Sequence, residues 1–418
     1  MTPRRTAACG ARRAARASLR LSVVLAGYAL GVVNASDQPA PPAPTAEPAG
    51  FRPGGLAEVD AIVEKAVGAR SFPGAVLAVG RDGRLAHLRS FGRLSYDRGA
   101  APVAPDTIYD LASVTKVVAT TTVAMALVDE GRLELDRRVS SYFAAFRGAD
   151  KDRVTVRHLL THSGGLQWWA PLYKEVEGKT AYLERIVALD LAYEPGAKSV
   201  YSDLGIILLG DIVEGTGGAP LDELARRMVT GPLGMKDTLF KPPIGLRERI
   251  APTERDPWRG RMLRGEVHDE NAFALGGIAP HAGLFGTAGD LSRFAQTLLD
   301  GGVFEGRRIV SRATVELFTE RAGVPLSSRA LGWDTPTDGS GRRSSVPGEP
   351  GYTSAGTLLS PRSFGHTGFT GTSMWMDPER RLYVILLTNR VHPTRENDAI
   401  RAVRAQVADA VVRALGRP

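Results

Sequence analysis

Two β-hairpin patterns at opposite ends of the sequence constrain the fold most. Each combines two apolar, β-rich runs across a polar turn, and the four runs are Ala75–Val79, Arg84–Phe91, Ser373–Met376 and Tyr383–Thr388. An isolated two-stranded hairpin is marginally stable in water, so these hairpins need further partners. We therefore expect one antiparallel sheet assembled from both ends of the chain.

Helical patterns occupy most of the sequence between the hairpins and also flank them. Apolar residues recur at helical spacing in Leu56–Val67 and in a final helix at about Asn397–Leu415. The helices expected between the hairpins are Val117–Glu130, Ala181–Leu189, Leu204–Glu214, Leu221–Thr230 and Leu291–Leu299. This arrangement predicts an α+β fold over residues 55–418, with a helical subdomain at roughly 105–290 beside the sheet.

Residues 1–35 have the pattern of a signal peptide. Six arginines and no acidic residue precede an apolar run, Leu21 to Val33, and this run is short for a membrane span. Small residues follow, and Ala35 is the expected cleavage position. We therefore expect an exported protein, periplasmic or extracellular; an uncleaved segment would instead tether it to the membrane.

The remaining composition narrows the functional classes. Without the six N-terminal arginines the formal charge falls from +8 to +2, which removes the electrostatic basis for nucleic-acid binding. Residues 36–54 are rich in Pro and Ala and read as a linker. The single cysteine, Cys9, lies inside the expected signal peptide, which excludes disulfides and thiolate chemistry from the mature chain. We expect no cofactor and no metal; the sequence leaves the oligomeric state open.

The first chemical motif is Ser113-Val114-Thr115-Lys116, at the start of a predicted helix. Residues three apart share a helical face, so the Ser113 hydroxyl and the Lys116 ammonium can meet. The positive field of a helix N-terminus also favours an oxyanion. Taken alone, the motif is equally compatible with a helix-capping serine and a solvated lysine.

The second motif is Tyr201-Ser202-Asp203, between a Pro-Gly turn and an apolar helix. A phenol there can act as a general base if a nearby cation lowers its pKa. The alternative is a tyrosine packed at a helix start with Asp203 as the helix cap.

The third motif is His366-Thr367-Gly368, just before a strand of the C-terminal hairpin. Thr367 can donate a hydrogen bond to a substrate carboxylate or carbonyl, and Gly368 permits close backbone approach. The amide of Phe369 could then act as an oxyanion donor together with the amide of Ser113. Taken alone, the motif is also an ordinary turn into a strand.

The order and spacing of the three motifs are more specific than any one of them. The motif starts are 88 and 165 residues apart, and together they resemble the class C β-lactamases and their serine-hydrolase relatives, which include DD-peptidases and family VIII esterases. The resemblance covers roughly residues 55–416 and implies a sheet domain and a helical domain with the active site between them. It implies that Ser113 is the acylated nucleophile, that Lys116 keeps the hydroxyl reactive and that Tyr201 shuttles protons.

Two positions depart from the β-lactamase pattern. Asp203 replaces an asparagine and can only accept hydrogen bonds when ionised. Its charge should keep Lys116 protonated, which makes Tyr201 the expected base. His366 replaces a lysine and is mostly uncharged at neutral pH, so it should attract a substrate carboxylate less strongly.

These departures favour a hydrolase of D-amino-acid (peptidoglycan-type) peptides or small esters. The alternatives are a class C-type β-lactamase, disfavoured by Asp203 and His366, and a penicillin-binding sensor that is acylated without turnover. Such a sensor would need Tyr201 disabled or the pocket closed, and Tyr201 is present.

Other polar and aromatic groups have more ordinary interpretations. The run from His268 to Asn271 lacks the spacing of a metal site and reads as a structural or pocket-lining loop. His162 is expected to hold the loop around Gly164 and Gly165. The tryptophans Trp168, Trp169 and Trp333 could line a cleft or belong to the core.

Overall fold

The computed structural model describes residues 50–148, 150–337 and 342–416. The expected signal peptide at 1–35 and residues 36–49 of the expected linker lie outside the described residues.

Strands and helices alternate in the order expected for a mixed α+β protein. The strands are β1 Gly74–Arg81, β2 Arg84–Gly92, β3 Tyr109–Asp110, β4 Leu239–Phe240, β5 Arg255–Asp256, β6 Arg261–Met262, β7 Leu284–Gly286, β8 Val303–Phe304, β9 Arg307–Arg308, β10 Phe364–Thr367, β11 Ser373–Asp377 and β12 Leu382–Thr388. The α-helices are α1 Ala57–Gly68, α2 Thr122–Asp129, α3 Val156–Leu160, α4 Lys179–Ala188, α5 Asp203–Gly217, α6 Leu221–Ala225, α7 Glu270–Ala274, α8 Ala288–Leu299, α9 Arg312–Thr319 and α10 Ile400–Arg413. Short 3₁₀ segments occur at Val139–Ser141, Lys151–Arg153, Leu172–Lys174 and Ile244–Arg249.

The main sheet has five antiparallel strands in the order β10-β11-β12-β1-β2. Strand β1 from the N-terminal hairpin pairs with β12 from the C-terminal hairpin, with Ala75 opposite Thr388 and Arg81 opposite Leu382. The prediction of an α+β fold with a sheet assembled from both chain ends is confirmed. The sequence did not predict β10, which forms one edge of the sheet and contains His366 and Thr367.

Strand β1 is buried on both faces, so its alternate residues enter two separate cores. Leu77 and Val79 pack with α1 and α10, whereas Val76 and Ala78 pack in the larger core with α8 and the helical region. Side chains of a strand point alternately to opposite faces, and helices cover both faces here. The interior of β1 is therefore apolar throughout, without the alternation of apolar and polar residues that a sheet with one solvent-exposed face shows.

The predicted helix Val117–Glu130 is not regular along its length. Residues Lys116–Thr121 form a π-helical segment, and the α-helix α2 follows only from Thr122. A second π-helical segment, Arg226–Thr230, continues α6. Short π segments within α-helices are rare and occur often at functional sites.

One helix, α5, is apolar and mostly buried within the larger core. No single helix of the described ranges is long and apolar enough to cross a membrane. The two helical segments α5 and Leu221–Thr230, which meet at a bend of 69°, reach the necessary length and apolar composition only when they are taken together.

We predict that the pairing of β1 with β12 depends on Gly80. A Cβ atom at Gly80 would lie 2.0 Å from Cζ of Tyr383, its partner across the strands. Because the Tyr383 ring is buried, Gly80→Ala should lower the free energy of unfolding by roughly 1–3 kcal/mol. Urea denaturation measures this change. Gly68→Ala is the matched control, because a Cβ atom there meets no atom within 4 Å; an equal loss in both variants would contradict the prediction.

Candidate active site

The turn that carries Ser113 is held in a strained conformation by Asp110. Ala112 has a φ of 46°, which is unfavourable for a residue with a Cβ atom. The Asp110 carboxylate accepts hydrogen bonds from the amide of Ala112 at 2.8 Å and from the amide of His268 at 2.7 Å. Burial raises the pKa of Asp110, although these two amides oppose the shift. The buried side chain of Asp110 therefore fixes the turn that precedes Ser113. No sequence motif had assigned a role to Asp110.

Lys116 is almost completely buried, and its ammonium is held by two hydrogen bonds and one ion pair. Its Nζ atom lies 2.8 Å from Oγ of Ser113, 2.8 Å from the carbonyl oxygen of His281 and 2.7 Å from Oδ1 of Asp203. Burial lowers the pKa of Lys116, but Asp203 and Tyr201 together outweigh it, so the pKa is raised. The charged lysine is thus the resting form, which is the direction expected from an acidic residue at position 203.

Asp203 is placed by the first turn of α5. The Oγ atom of Ser202 caps this helix by accepting from the amide of Gly205, and the amide of Asp203 donates to the carbonyl of Trp168 at 3.0 Å. A carboxylate in the first turn is stabilised by the helix dipole. The alternative of Asp203 as the helix cap is wrong, because Ser202 takes that position and leaves the carboxylate free to pair with Lys116.

Tyr201 lies among groups that would stabilise a phenolate, but its pKa is raised. The Lys116 ammonium and the Arg329 guanidinium lie 4.9 and 5.0 Å from the centre of its ring, and the ring of His162 is 4.6 Å away. Burial raises the pKa of Tyr201, Lys116 lowers it and Asp203 raises it again. The cation predicted as a condition for a basic phenol is present, but burial and Asp203 outweigh it, so the phenol keeps its proton in the resting site.

His366 is a neutral, buried residue at the wall of the cavity. Its Nδ1 atom lies 2.8 Å from the carbonyl oxygen of Thr367, which can only accept, so Nδ1 carries the proton. Burial, together with the charges of Arg329 and Lys116, lowers the pKa of His366 well below its usual value. The buried Nε2 atom has no hydrogen-bond partner among the described residues and presents a lone pair. His366 therefore supplies no cation, unlike the lysine at this position in the class C β-lactamases that the sequence resembles.

The segment 366–372 is fastened to the nucleophile turn through backbone groups. The hydroxyls of Thr370 and Thr372 donate to the carbonyls of Asp110 and Leu111, at 2.7 and 2.9 Å. A Cβ atom at Gly368 would lie 2.4 Å from the carbonyl oxygen of Leu111, so only glycine fits this approach.

Arg404 orients the peptide that follows Gly368. This partly buried arginine on α10 donates to the carbonyl oxygens of Gly368 and Thr372, at 2.6 and 2.7 Å. The peptide between Gly368 and Phe369 is trans, so the amide of Phe369 points away from Arg404. Sequence analysis missed Arg404, because it is one of several arginines on an ordinary amphipathic helix.

The expected site residues surround one cavity of about 830 Å³. Of those named from the sequence, the residues that line it are Ser113, Tyr201, Asp203, His366, Thr367, Gly368 and Phe369. Lys116 lies behind Ser113 and reaches the cavity through it.

Arg329 is a cavity-lining residue that the sequence did not indicate. It forms an ion pair with Asp334 at 3.3 Å, yet its buried Nη1 atom has no hydrogen bond within the described residues. The loop that carries it has no motif, so only the structure places this cation beside Tyr201 and His366.

The run from His268 to Asn271 both lines the cavity, through His268, Asp269 and Glu270, and makes structural contacts. His268 pairs with Glu254 at 2.8 Å and Asp269 with His281 at 2.9 Å, and no group of metal-binding side chains occurs in the ranges the structure describes. His162 accepts a hydrogen bond from the amide of Ser202 at 3.0 Å, which ties its loop to the Tyr201 segment.

Of the three tryptophans named from the sequence, two line the cavity and one belongs to the core. Trp168 and Trp169 line the cavity. Trp333 is fully buried against Phe294 and Phe364 and belongs to the core.

These contacts give the site the parts of an acyl-transfer centre. A hydroxyl at a helix start contacts a buried cation, a phenol lies next to both, and the backbone amides of two loops border the same cavity. A serine so placed can attack a carbonyl carbon, while the phenol and the lysine relay protons.

Comparison with known proteins agrees with this geometry. The model of the Beta-lactamase family matches residues 59–409. A protein of Escherichia coli K12 named "Putative D-alanyl-D-alanine carboxypeptidase" is 33% identical over 395 residues, covering 86% of this chain and 88% of that protein. A Bacillus subtilis protein named N-acetylmuramyl-L-alanine amidase is 34% identical over 382 residues, covering 83% of each.

Solved structures share the fold. A penicillin-binding protein homologue from Caulobacter crescentus has a TM-score of 0.68 at 24% identity, covering 88% of this chain and 99% of its own. A class C β-lactamase from Rhodobacter sphaeroides has a TM-score of 0.65 at 21% identity, covering 85% and 99%. With the family model spanning most of the sequence, the chain belongs to the beta-lactamase family and is one of its serine hydrolases.

Proposed function

We propose that this protein is an exported carboxypeptidase that cleaves D-alanyl peptides through an acyl-enzyme on Ser113. The observation that carries the proposal is the buried Lys116 ammonium, which contacts both Ser113 and Asp203 beside a cavity that is also lined by the cationic Arg329. Relatives named as carboxypeptidase and amidase, and the signal-peptide pattern of residues 1–35, support a cell-wall peptide substrate.

In the acylation step, Oγ of Ser113 forms a bond to the carbonyl carbon of the substrate. Its proton leaves through Tyr201 toward the departing amine, and the C–N bond breaks. The amides of Ser113 and Phe369 stabilise the negative charge that develops on the carbonyl oxygen. In deacylation, a water molecule gives a proton to Tyr201 while its oxygen forms a bond to the acyl carbon. The ester bond to Oγ of Ser113 then breaks, Oγ receives the proton from Tyr201, and the shortened peptide leaves with a new carboxyl group.

Lys116 acts in this scheme as a fixed positive charge beside the reacting oxygen. Because both Lys116 and Tyr201 have raised pKa values, both groups are protonated in the resting site. One of these two protons must leave before the pair can accept the proton of Ser113. The active form accumulates when that proton leaves the pair, so turnover should increase as the pH rises.

The positive charge of Arg329 favours a substrate with a free carboxylate. His366 is neutral, so the cation that lines the cavity next to Tyr201 is the Arg329 guanidinium, whose Nη1 atom is paired with Asp334. A peptide that ends in D-alanine brings a carboxylate that this guanidinium attracts, whereas a simple ester does not.

Activity profiling tests the proposed function directly. The full-length protein is assayed with a peptide ending in D-Ala-D-Ala, with p-nitrophenyl esters and with nitrocefin, and Ser113→Ala serves as the blank. We expect release of D-alanine, slow nitrocefin turnover and transient labelling of Ser113 by a fluorescent penicillin. Efficient nitrocefin turnover would identify a β-lactamase, stable labelling a sensor, and ester hydrolysis alone an esterase; each of these results would overturn the proposal.

We predict that Asp203 sets the pH range of activity. Asp203 raises the pKa of both Lys116 and Tyr201, so Asp203→Asn should lower both pKa values and move the ascending limb of kcat/KM to lower pH. The measurement is the pH profile of D-alanine release. Asp211→Asn is the matched control, because it removes one negative charge from the same helix at a residue paired with Lys179. Equal profiles for all three proteins would contradict the assignment.

We predict that Arg329→Gln acts selectively on substrates with a terminal carboxylate. Loss of a charge-assisted bidentate contact should raise KM roughly 10- to 100-fold for the acid, and far less for the same peptide with an amidated C-terminus. Steady-state kinetics on the two peptides give the ratio. Substitution of the exposed Arg362 by Gln is the control; a similar loss on both peptides would show that Arg329 only maintains the structure.

A further inference from the structure

Five aromatic side chains form a continuous series that starts in the cavity and ends at the protein surface. We call it the aromatic ladder, and its members in order are Trp168, Trp169, Tyr173, Trp258 and Phe273. Successive ring centres are 5.7, 6.4, 4.6 and 5.8 Å apart. Trp168 and Trp258 are 61% and 43% exposed, which is unusual for tryptophan outside a binding surface.

The inner end of the ladder is fastened to the catalytic helix. The carbonyl of Trp168 accepts from the amide of Asp203, and the carbonyl of Gln167 accepts from Oγ of Ser202 at 2.7 Å. Trp168 and Trp169 both line the cavity that contains Ser113. A molecule bound on the ladder can therefore extend into the catalytic cavity.

The outer end is equally rigid. The guanidinium of Arg259 lies 5.8 Å from the ring centre of Trp258 and 4.9 Å from that of Phe273. Arg259 is itself buried and paired with Asp256 at 2.6 Å. The two rings therefore rest on a fixed cation, and the ladder is a preformed surface that needs no rearrangement to bind a flat ligand.

We propose that the aromatic ladder binds the sugar rings of a glycopeptide substrate whose peptide end is cleaved at Ser113. This deepens the proposed function and rests on it. Sugar rings present one apolar C–H face and a rim of hydroxyls, and exposed indoles match the face. The ammonium of Lys174, 5.6 Å from the ring centre of Tyr173, and the cavity-lining Asp269 and Glu270 match the rim.

The length of a cell-wall stem peptide fits the arrangement. Four extended residues span at most roughly 14 Å, so the sugar that carries the peptide stays within reach of rings that begin at the cavity wall.

The test compares the disaccharide-pentapeptide of peptidoglycan with the same pentapeptide without sugar. For the wild type, kcat/KM should be higher on the glycosylated substrate, and Trp258→Ala should lower the ratio of the two values roughly tenfold. Trp258→Phe should retain most of the ratio, because a ring remains. Ile244→Ala, which removes an exposed apolar side chain outside the cavity and ladder, should leave the ratio unchanged. A ratio unaffected by Trp258→Ala would overturn the proposal.

Binding to the Ser113→Ala protein separates this inference from the proposed function. Titration of the disaccharide-pentapeptide, followed by tryptophan fluorescence, should give a Kd that rises roughly tenfold when Trp258→Ala is added. Ladder-dependent binding without cleavage by the wild type would refute the carboxypeptidase and retain the ladder. Cleavage of both peptides with binding independent of Trp258 would refute the ladder and retain the carboxypeptidase. Circular dichroism and thermal melting confirm that each variant is folded.

Discussion

The buried ammonium of Lys116 is the constraint on which the rest of the site depends. Removing a charge from water is costly unless every hydrogen finds an acceptor. The acceptors that stabilise it here are the Ser113 hydroxyl and the His281 carbonyl, through hydrogen bonds, and the Asp203 carboxylate, through an ion pair; they come from three segments far apart in the sequence. The helical region must pack in one way for these acceptors to converge, so the fold and the charge of Lys116 support each other.

The five-stranded sheet supplies the opposite wall of the site. Because β1 pairs with β12, the C-terminal hairpin and its edge strand β10 lie beside the nucleophile turn. Hydroxyls of Thr370 and Thr372 then connect the loop after β10 to the backbone of that turn. The geometry between Ser113 and the amide of Phe369 is therefore set by strand pairing and by two short hydrogen bonds, rather than by loops alone.

The distribution of charge separates this chain from the β-lactamase pattern that it otherwise resembles. The position usually held by a lysine is a neutral His366, and a cation is supplied instead by Arg329. Asp203 adds a negative charge that keeps Lys116 protonated and Tyr201 neutral. The same three-motif framework thus holds a different set of charges, which is a physical basis for a different substrate within one family.

The sequence by itself determined the α+β class, the two hairpins, most helices and the residues of the three motifs. Local periodicity and turn chemistry encode the elements, and an S-x-x-K spacing brings two side chains together within one helical turn. The tertiary structure decided what depends on distant neighbours: the raised pKa of Tyr201, the tautomer of His366, and the placement of Arg329 and Arg404. Burial and contacts between distant segments set the protonation states and the orientation of these side chains, and the spacing of residues along the chain does not reveal either of them.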